Sequence, residues 1–187
     1  AVGAFTATNT GVGNIELTNT IATLDLQGIT QNTGDVVIDN TGAITQSVAG
    51  ITTAANGNID LTASTDLTIS QVVTAGGAGT VDLTATAGTL AIDAAVSSTS
   101  GALTLTAGGA ISQNAATGSL ASGGLLSTSS DGGTVLNGAN AVGAFTATNT
   151  GVGNIELTNT IATLDLQGIT QNTGDVVIDN TGAITQS

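Results

Sequence analysis

The chain has 187 residues, 13 of them acidic and none of them Lys, Arg or His, so its formal charge is −13. Without a cation to neutralise phosphates, nucleic acid is excluded as a partner, and an anionic membrane surface is disfavoured. Pro, Cys, Met, Trp and Tyr are absent and Phe occurs twice, while apolar residues make up 40% and Gly numbers 27. Val, Ile, Leu, Ala and Thr in these proportions suit regular β-structure built from small units, and argue against a disordered chain.

Residues 1–47 are identical to residues 141–187 at every position. The chain is therefore read as a single continuous segment, 1–187, cut from a tandem array whose unit runs from Ala1 to Asn140. Within the unit a shorter rhythm opens on glycine: GNIELTNT at Gly13, GDVVIDNT at Gly34, GNIDLTAS at Gly57, GTVDLTAT at Gly79 and GALTLTAG at Gly101. The steps are nearly equal, each about 22 residues, which is the length of a solenoid repeat. A weaker phrase, GGLLSTSS, follows in step at Gly123.

Aligned on their glycines, these phrases separate into columns. Ile15, Val36, Ile59, Val81 and Leu103 share the third position; Leu17, Ile38, Leu61, Leu83 and Leu105 share the fifth. Polar residues fill most of the places between and after them, which predicts a strand with one face buried. The alternation restarts about ten residues on, at Leu24 and Leu26, Ile44, Leu67 and Ile69, Leu90 and Ile92, and Ile111. A third patch follows at Ile29, Ile51, Val73 and Val96. Three short strands per period of about 22 residues, with like residues superposed on like, predict an all-β parallel solenoid.

The rhythm breaks between Gly123 and Gly153, a longer step than any before it. The ten residues AVGAFTATNT do not close a coil of their own, so one enlarged coil is expected at 123–152, with AVGAFTAT as an extended side or a bulging excursion and Phe145 filling a wider interior or exposed for binding. The unit then holds six coils and rises roughly 29 Å at the strand-pairing distance.

The residues TGAITQS at 41–47, GGAISQNAATGSLASGG at 108–124 and TVLNGANAVGAF at 134–145, with the GNIDLTA and GTVDLTA openings, resemble the repetitive shafts of filamentous-haemagglutinin-like exoproteins, which are large bacterial surface adhesins. The resemblance covers essentially the whole chain. It implies a right-handed parallel β-helix and export from a Gram-negative-type cell, often through a dedicated outer-membrane partner. The family's N-terminal secretion domain is not in this sequence, which leaves the export route open.

Chemistry is sparse. With no His, Cys, Lys or Tyr, neither a Ser-His nor a Cys-His arrangement can form, and acid–base work falls to carboxylates alone. The expectation is that the protein is not an enzyme, with no catalytic residue, no cofactor and no dedicated metal site. Asp60 and Asp82 fall in one outward column; such neighbours either splay into solvent or recruit a hard cation such as Ca²⁺. Thr-x-Thr rows such as FTATNT and LTLT suit exposed strand positions, with ice binding as the functional alternative. Asn19, Asn40 and Asn149 end strands, where their side chains serve the turn backbone.

The function expected is mechanical: a structural repeat in the shaft of a giant secreted surface adhesin or extracellular filament, placed outside the cell or on its surface. Its expected partners are further copies of the same repeat along the chain, with lateral self-association into fibres as an option; no nucleic acid and no membrane insertion are expected. A glycan- or surface-binding module using the enlarged coil is the alternative, with ice binding and functional amyloid behind it.

Overall fold

The computed structural model describes all 187 residues. Twenty β-strands and no helix wind into a parallel β-solenoid of about eight coils, with three strands per coil of about 22 residues. Every strand pairing is parallel, each strand bonding to its counterparts one coil away. The first side of the triangular coil stacks Ile15–Asn19, Val36–Asn40, Ile59–Ala63, Val81–Ala85 and Leu103–Ala107. The second stacks Leu24, Ile44, Leu67, Leu90 and Ile111, and the third Ile29, Ile51, Val73 and Val96.

The predicted columns are the core. Ile59, Leu61, Val81, Leu83, Leu103 and Leu105 are fully buried, as are Leu67, Ile69, Leu90, Ile92, Val73 and Val96. They belong to one continuous apolar cluster running along the axis. A single coil cannot offset its backbone ordering of about 1–2 kcal/mol per residue with a handful of aliphatic side chains at about 1.5–3 kcal/mol each. Stacking closes that gap, because interior side chains are covered above and below by their equivalents.

The glycines that open the phrases have a steric cause. A β-carbon on Gly57 would run into the carbonyl oxygen of Gly34, one on Gly79 into that of Gly57, and one on Gly101 into that of Gly79. At this corner the chain passes so close to the coil beneath that only hydrogen fits, a constraint handed from coil to coil.

The expected enlarged coil at 123–152 is not present, and the reason is a change of side. On the first side Leu103 pairs with Leu126, and Leu126 pairs in turn with Phe145 after an unusually short circuit. Ile155, the identical copy of Ile15, does not join that side. It pairs with Thr134, which pairs with Ile111, on the second side. Leu166, the copy of Leu26, then pairs with Phe145, and Ile169, the copy of third-side Ile29, pairs with Ala147 on the first side. The residues in excess of six coils thus supply one additional side, and the unit Ala1 to Asn140 spans six full coils and one side. The coil from Leu126 to Phe145 is the tightest on the first side. The strand Thr134–Asn149 runs round its corners with no separate turn, and its Gly138, Ala139, Ala141, Gly143 and Ala144 leave room to bend. Phe145 is fully buried there, so it is a core residue of a narrow coil and not an exposed anchor.

Two glycine substitutions separate stacking from mere composition. Gly79→Ala is expected to lower the stability of the chain by about 1–3 kcal/mol, the usual cost of forcing extra volume into packed structure. Gly143→Ala, whose added carbon meets nothing within 4 Å, is expected to leave it within about 0.5 kcal/mol. Denaturant midpoints of the two variants check this.

Candidate functional surfaces

With a filled interior, function falls to the outward columns and the corners. On the first side the outward positions form two rows. The first reads Glu16, Val37, Asp60, Asp82, Thr104, Ser127 and Thr146; the second reads Thr18, Asp39, Thr62, Thr84, Thr106, Ser129, Thr148 and Thr170. The third side carries a further row, Thr8, Thr30, Thr52, Thr74 and Ser97, with the last two hydroxyls 3.1 Å apart.

Asp60 and Asp82 lie opposite one another in register, as their spacing predicts. Each is served within its own strand or the turn before it: Thr62 Oγ1 is 3.4 Å from Asp60 Oδ1, and Thr80 Oγ1 donates to Asp82 Oδ2 at 3.1 Å. Partial burial pushes the Asp60 carboxyl above its usual range, the Asp82 and Asp39 charges add to that, and the Thr62 hydroxyl opposes it. Nowhere do three or more carboxylates converge as ligands for a metal ion. The pair is a neighbourhood of like charges, each carboxylate with a threonine hydroxyl beside it.

The other carboxylates show how an all-acidic chain folds without cations. Asn14 Oδ1 accepts the Asp35 N–H at 2.9 Å, Asp35 Oδ1 accepts the Asn58 N–H at 2.8 Å, and Asn58 Oδ1 accepts the Thr80 N–H at 2.9 Å. This is one corner, repeated over four coils, where each side chain takes the backbone donor of the next coil. Asp66 Oδ1 does the same for Thr89, accepting its N–H at 2.8 Å and its hydroxyl at 3.0 Å. Asp25 Oδ2 accepts from Ser47 Oγ at 2.6 Å and Gln27 Nε2 at 2.9 Å. Acids and amides here act as coil-to-coil stitches. Glu156 is clamped by Asn137 Nδ2 and Asn154 Nδ2, both at 2.9 Å, and these two donors hold its carboxyl below the usual range.

Asn19 and Asn40 behave as expected of strand-end amides. Asn40 Nδ2 donates to the carbonyls of Ile21 and Ala43, and its Oδ1 accepts from the Ile21 N–H and from Asn19 Nδ2. Asn149 Nδ2 donates to Gly153 O and to Gln171 Oε1. One buried polar cluster is not singled out by the sequence pattern. Asn140, fully enclosed, bonds to Gln113 through both of its side-chain atoms and also to the Leu120 N–H and the Leu136 and Thr158 carbonyls. It seals the corner where the chain changes side, and its place before AVGAF is the one hint the sequence offers.

A cleft of about 450 Å³ lies on the corner that follows the third side, spanning three coils. Asn9, Thr10, Thr30, Gln31, Asn32, Thr52 and Thr53 line it, with Ala54 the single apolar residue. This cleft lies outside 123–152, the stretch that the alternative binding reading would use.

The Asp60 shift sets a pH signature. A carboxyl whose folded pKa lies above its unfolded value binds protons more readily when folded, so its ionisation costs stability above the folded pKa. That cost is relieved as pH falls through the folded pKa towards the ordinary Asp value. Asp60→Asn is expected to melt above the parent at neutral pH, and the gap is expected to close as the pH falls to about 4. Melting curves of both proteins across that range check it.

No protein-family model, curated protein or solved structure matches the chain.

Proposed function

We propose that this chain is a structural repeat from the shaft of a giant secreted surface adhesin or extracellular filament. The observation that carries this reading is the junction between the two copies: residues 141–187 stack on the preceding coils with the same ladder that holds the interior of the unit. A unit that joins its successor without a break makes length a property that accumulates with repeat number. Like-charged flanks keep neighbouring shafts soluble and apart. The resemblance of the phrases to filamentous-haemagglutinin-like exoproteins supports an extracellular place, as does the lack of any Lys or Arg for trypsin-type proteases to cut.

The test is to build chains of one to four units and image them, while antibodies to the unit are applied to intact source cells. Each added unit is expected to lengthen the particle by about 30 Å at constant width, at roughly 4.8 Å per coil. Beads or a widening particle would overturn the shaft, and labelling confined to lysed cells would overturn the surface location.

The cleft supports a second reading, a glycan-binding module. Its hydroxyls and amides, without charge, match the hydrogen-bonding needs of a neutral sugar. A glycan array probed with the chain is expected to show binding that Thr52→Trp abolishes; silence across neutral glycans removes this reading.

A further inference from the structure

We infer that successive units of the tandem array are turned by one side of the triangular coil, so that each surface of the unit faces three directions in rotation and the pattern closes after three units. This deepens the shaft reading, since it requires that units follow one another, but its test does not depend on where the protein resides.

Two features mark the turn, and a third shows the local structure kept through it. The strand pairings move Ile155 to the second side, where its copy Ile15 is on the first, and Ile169 to the first side, where its copy Ile29 is on the third. The crowded glycines move as well. Gly13 lies beneath Gly34 in the first-side ladder that continues to Gly57 and Gly79, whereas its copy Gly153 packs on Gly132, which packs on Gly109 and Ala110. The strand-end amides repeat their bonds after the turn: Asn19 exchanges two hydrogen bonds with Val2, and Asn159 the same two with Val142. Identical sequence therefore builds identical local structure on a different side. Since every junction joins the same residues, the same turn recurs at each.

The geometry has a consequence for the surface. The outward hydroxyl row Thr62, Thr84, Thr106, Ser129 continues through Thr148 into Thr170. Thr148 and Thr170 are the copies of Thr8 and Thr30, which belong to the row on the third side. The turn thus splices the hydroxyl row of one side onto that of another. From Thr104 onward, neither outward row on this side carries a carboxylate. Three units complete about nineteen coils, or roughly 90 Å. A flat partner lying along the shaft meets a given patch once in that distance, and the two intervening copies face elsewhere.

Paired cysteines decide the matter, because the chain has no cysteine of its own. Dibromobimane fluoresces when it bridges two thiols about one strand spacing apart. Ser127→Cys with Thr146→Cys and Val135→Cys with Glu156→Cys place thiols opposite one another across adjacent strands. Asp82→Cys with Thr104→Cys, within a coil stack far from the junction, defines full signal. Both junction pairs are expected to reach at least about half that signal, and Ser127→Cys with Glu156→Cys less than about a tenth, given a strand spacing of roughly 4.8 Å. In an undivided enlarged coil the last pair would be neighbours. Fluorescence from it, or darkness of the junction pairs while the reference pair responds, overturns the turn in this chain. The same pairs placed at each junction of a three-unit chain test whether the turn accumulates; a junction where the last pair lights overturns the threefold pattern.

Discussion

Every feature of this molecule answers to one constraint. A parallel ladder with coils roughly 4.8 Å apart places each residue against its equivalent in the next coil, so a side chain must tolerate its own kind as nearest neighbour. Aliphatic residues gain from this, since Ile59 on Val81 on Leu103 excludes water along the whole axis. Hydroxyls gain as well, as the contact between Thr74 and Ser97 shows. Amides at the strand ends pair with one another, Asn19 with Asn40 and Asn159 with Asn180. Carboxylates lose, and the raised Asp60 pKa beside Asp82 is where that loss is visible. At the glycine corner the constraint is absolute, because no side chain fits.

Under that constraint the acidic composition is less odd than it first looks. Cations are one way to settle a carboxylate, but Asp35 and Asp66 use another: they accept N–H groups from the coil that follows, closing corners the strand ladder leaves open. Asn14 and Asn58 do the same work at neighbouring levels of one corner, so charge there is incidental to the role of acceptor. A solenoid whose only charged side chains are acids can thus engage them as acceptors, although Asp25 Oδ1 stays buried without a donor. Its net negative charge favours separation from neighbouring copies.

How much of this the sequence disclosed follows from the same rule. Columns such as Val81 and Leu83 are legible because stacking makes chemistry repeat with the coil, and repetition is what a sequence displays most openly. The opening glycines are visible too, although their cause, the carbonyl one coil away, is a matter of three-dimensional closeness. The junction misleads for a definite reason. The surplus is too short for a whole coil, yet the building block is one side, and it is long enough for that. Asn140 stacks in register with the strand-end amides Asn159 and Asn180, but the added side hides that alignment, and its bonds to Gln113 join positions that the coil rhythm does not relate.

The junction also shows what the stacking rule leaves free. It fixes which residue lies on which, but it says nothing about the azimuth at which a segment must sit, provided the sides are alike in length and interior chemistry. GNIELTNT rests on the first side when followed by Val36 and Ile38, and on the second when preceded by Thr134 and Leu136, with the same alternation inward and outward each time. A repeat length therefore need not be a whole number of coils. It need only be a whole number of sides, and the unit Ala1 to Asn140 satisfies that, where a multiple of the coil length would have kept every patch in line. In a tandem array that keeps this remainder of one side, the three different faces of the solenoid would become equivalent over three units. Bending stiffness and surface chemistry then average around the axis as length grows.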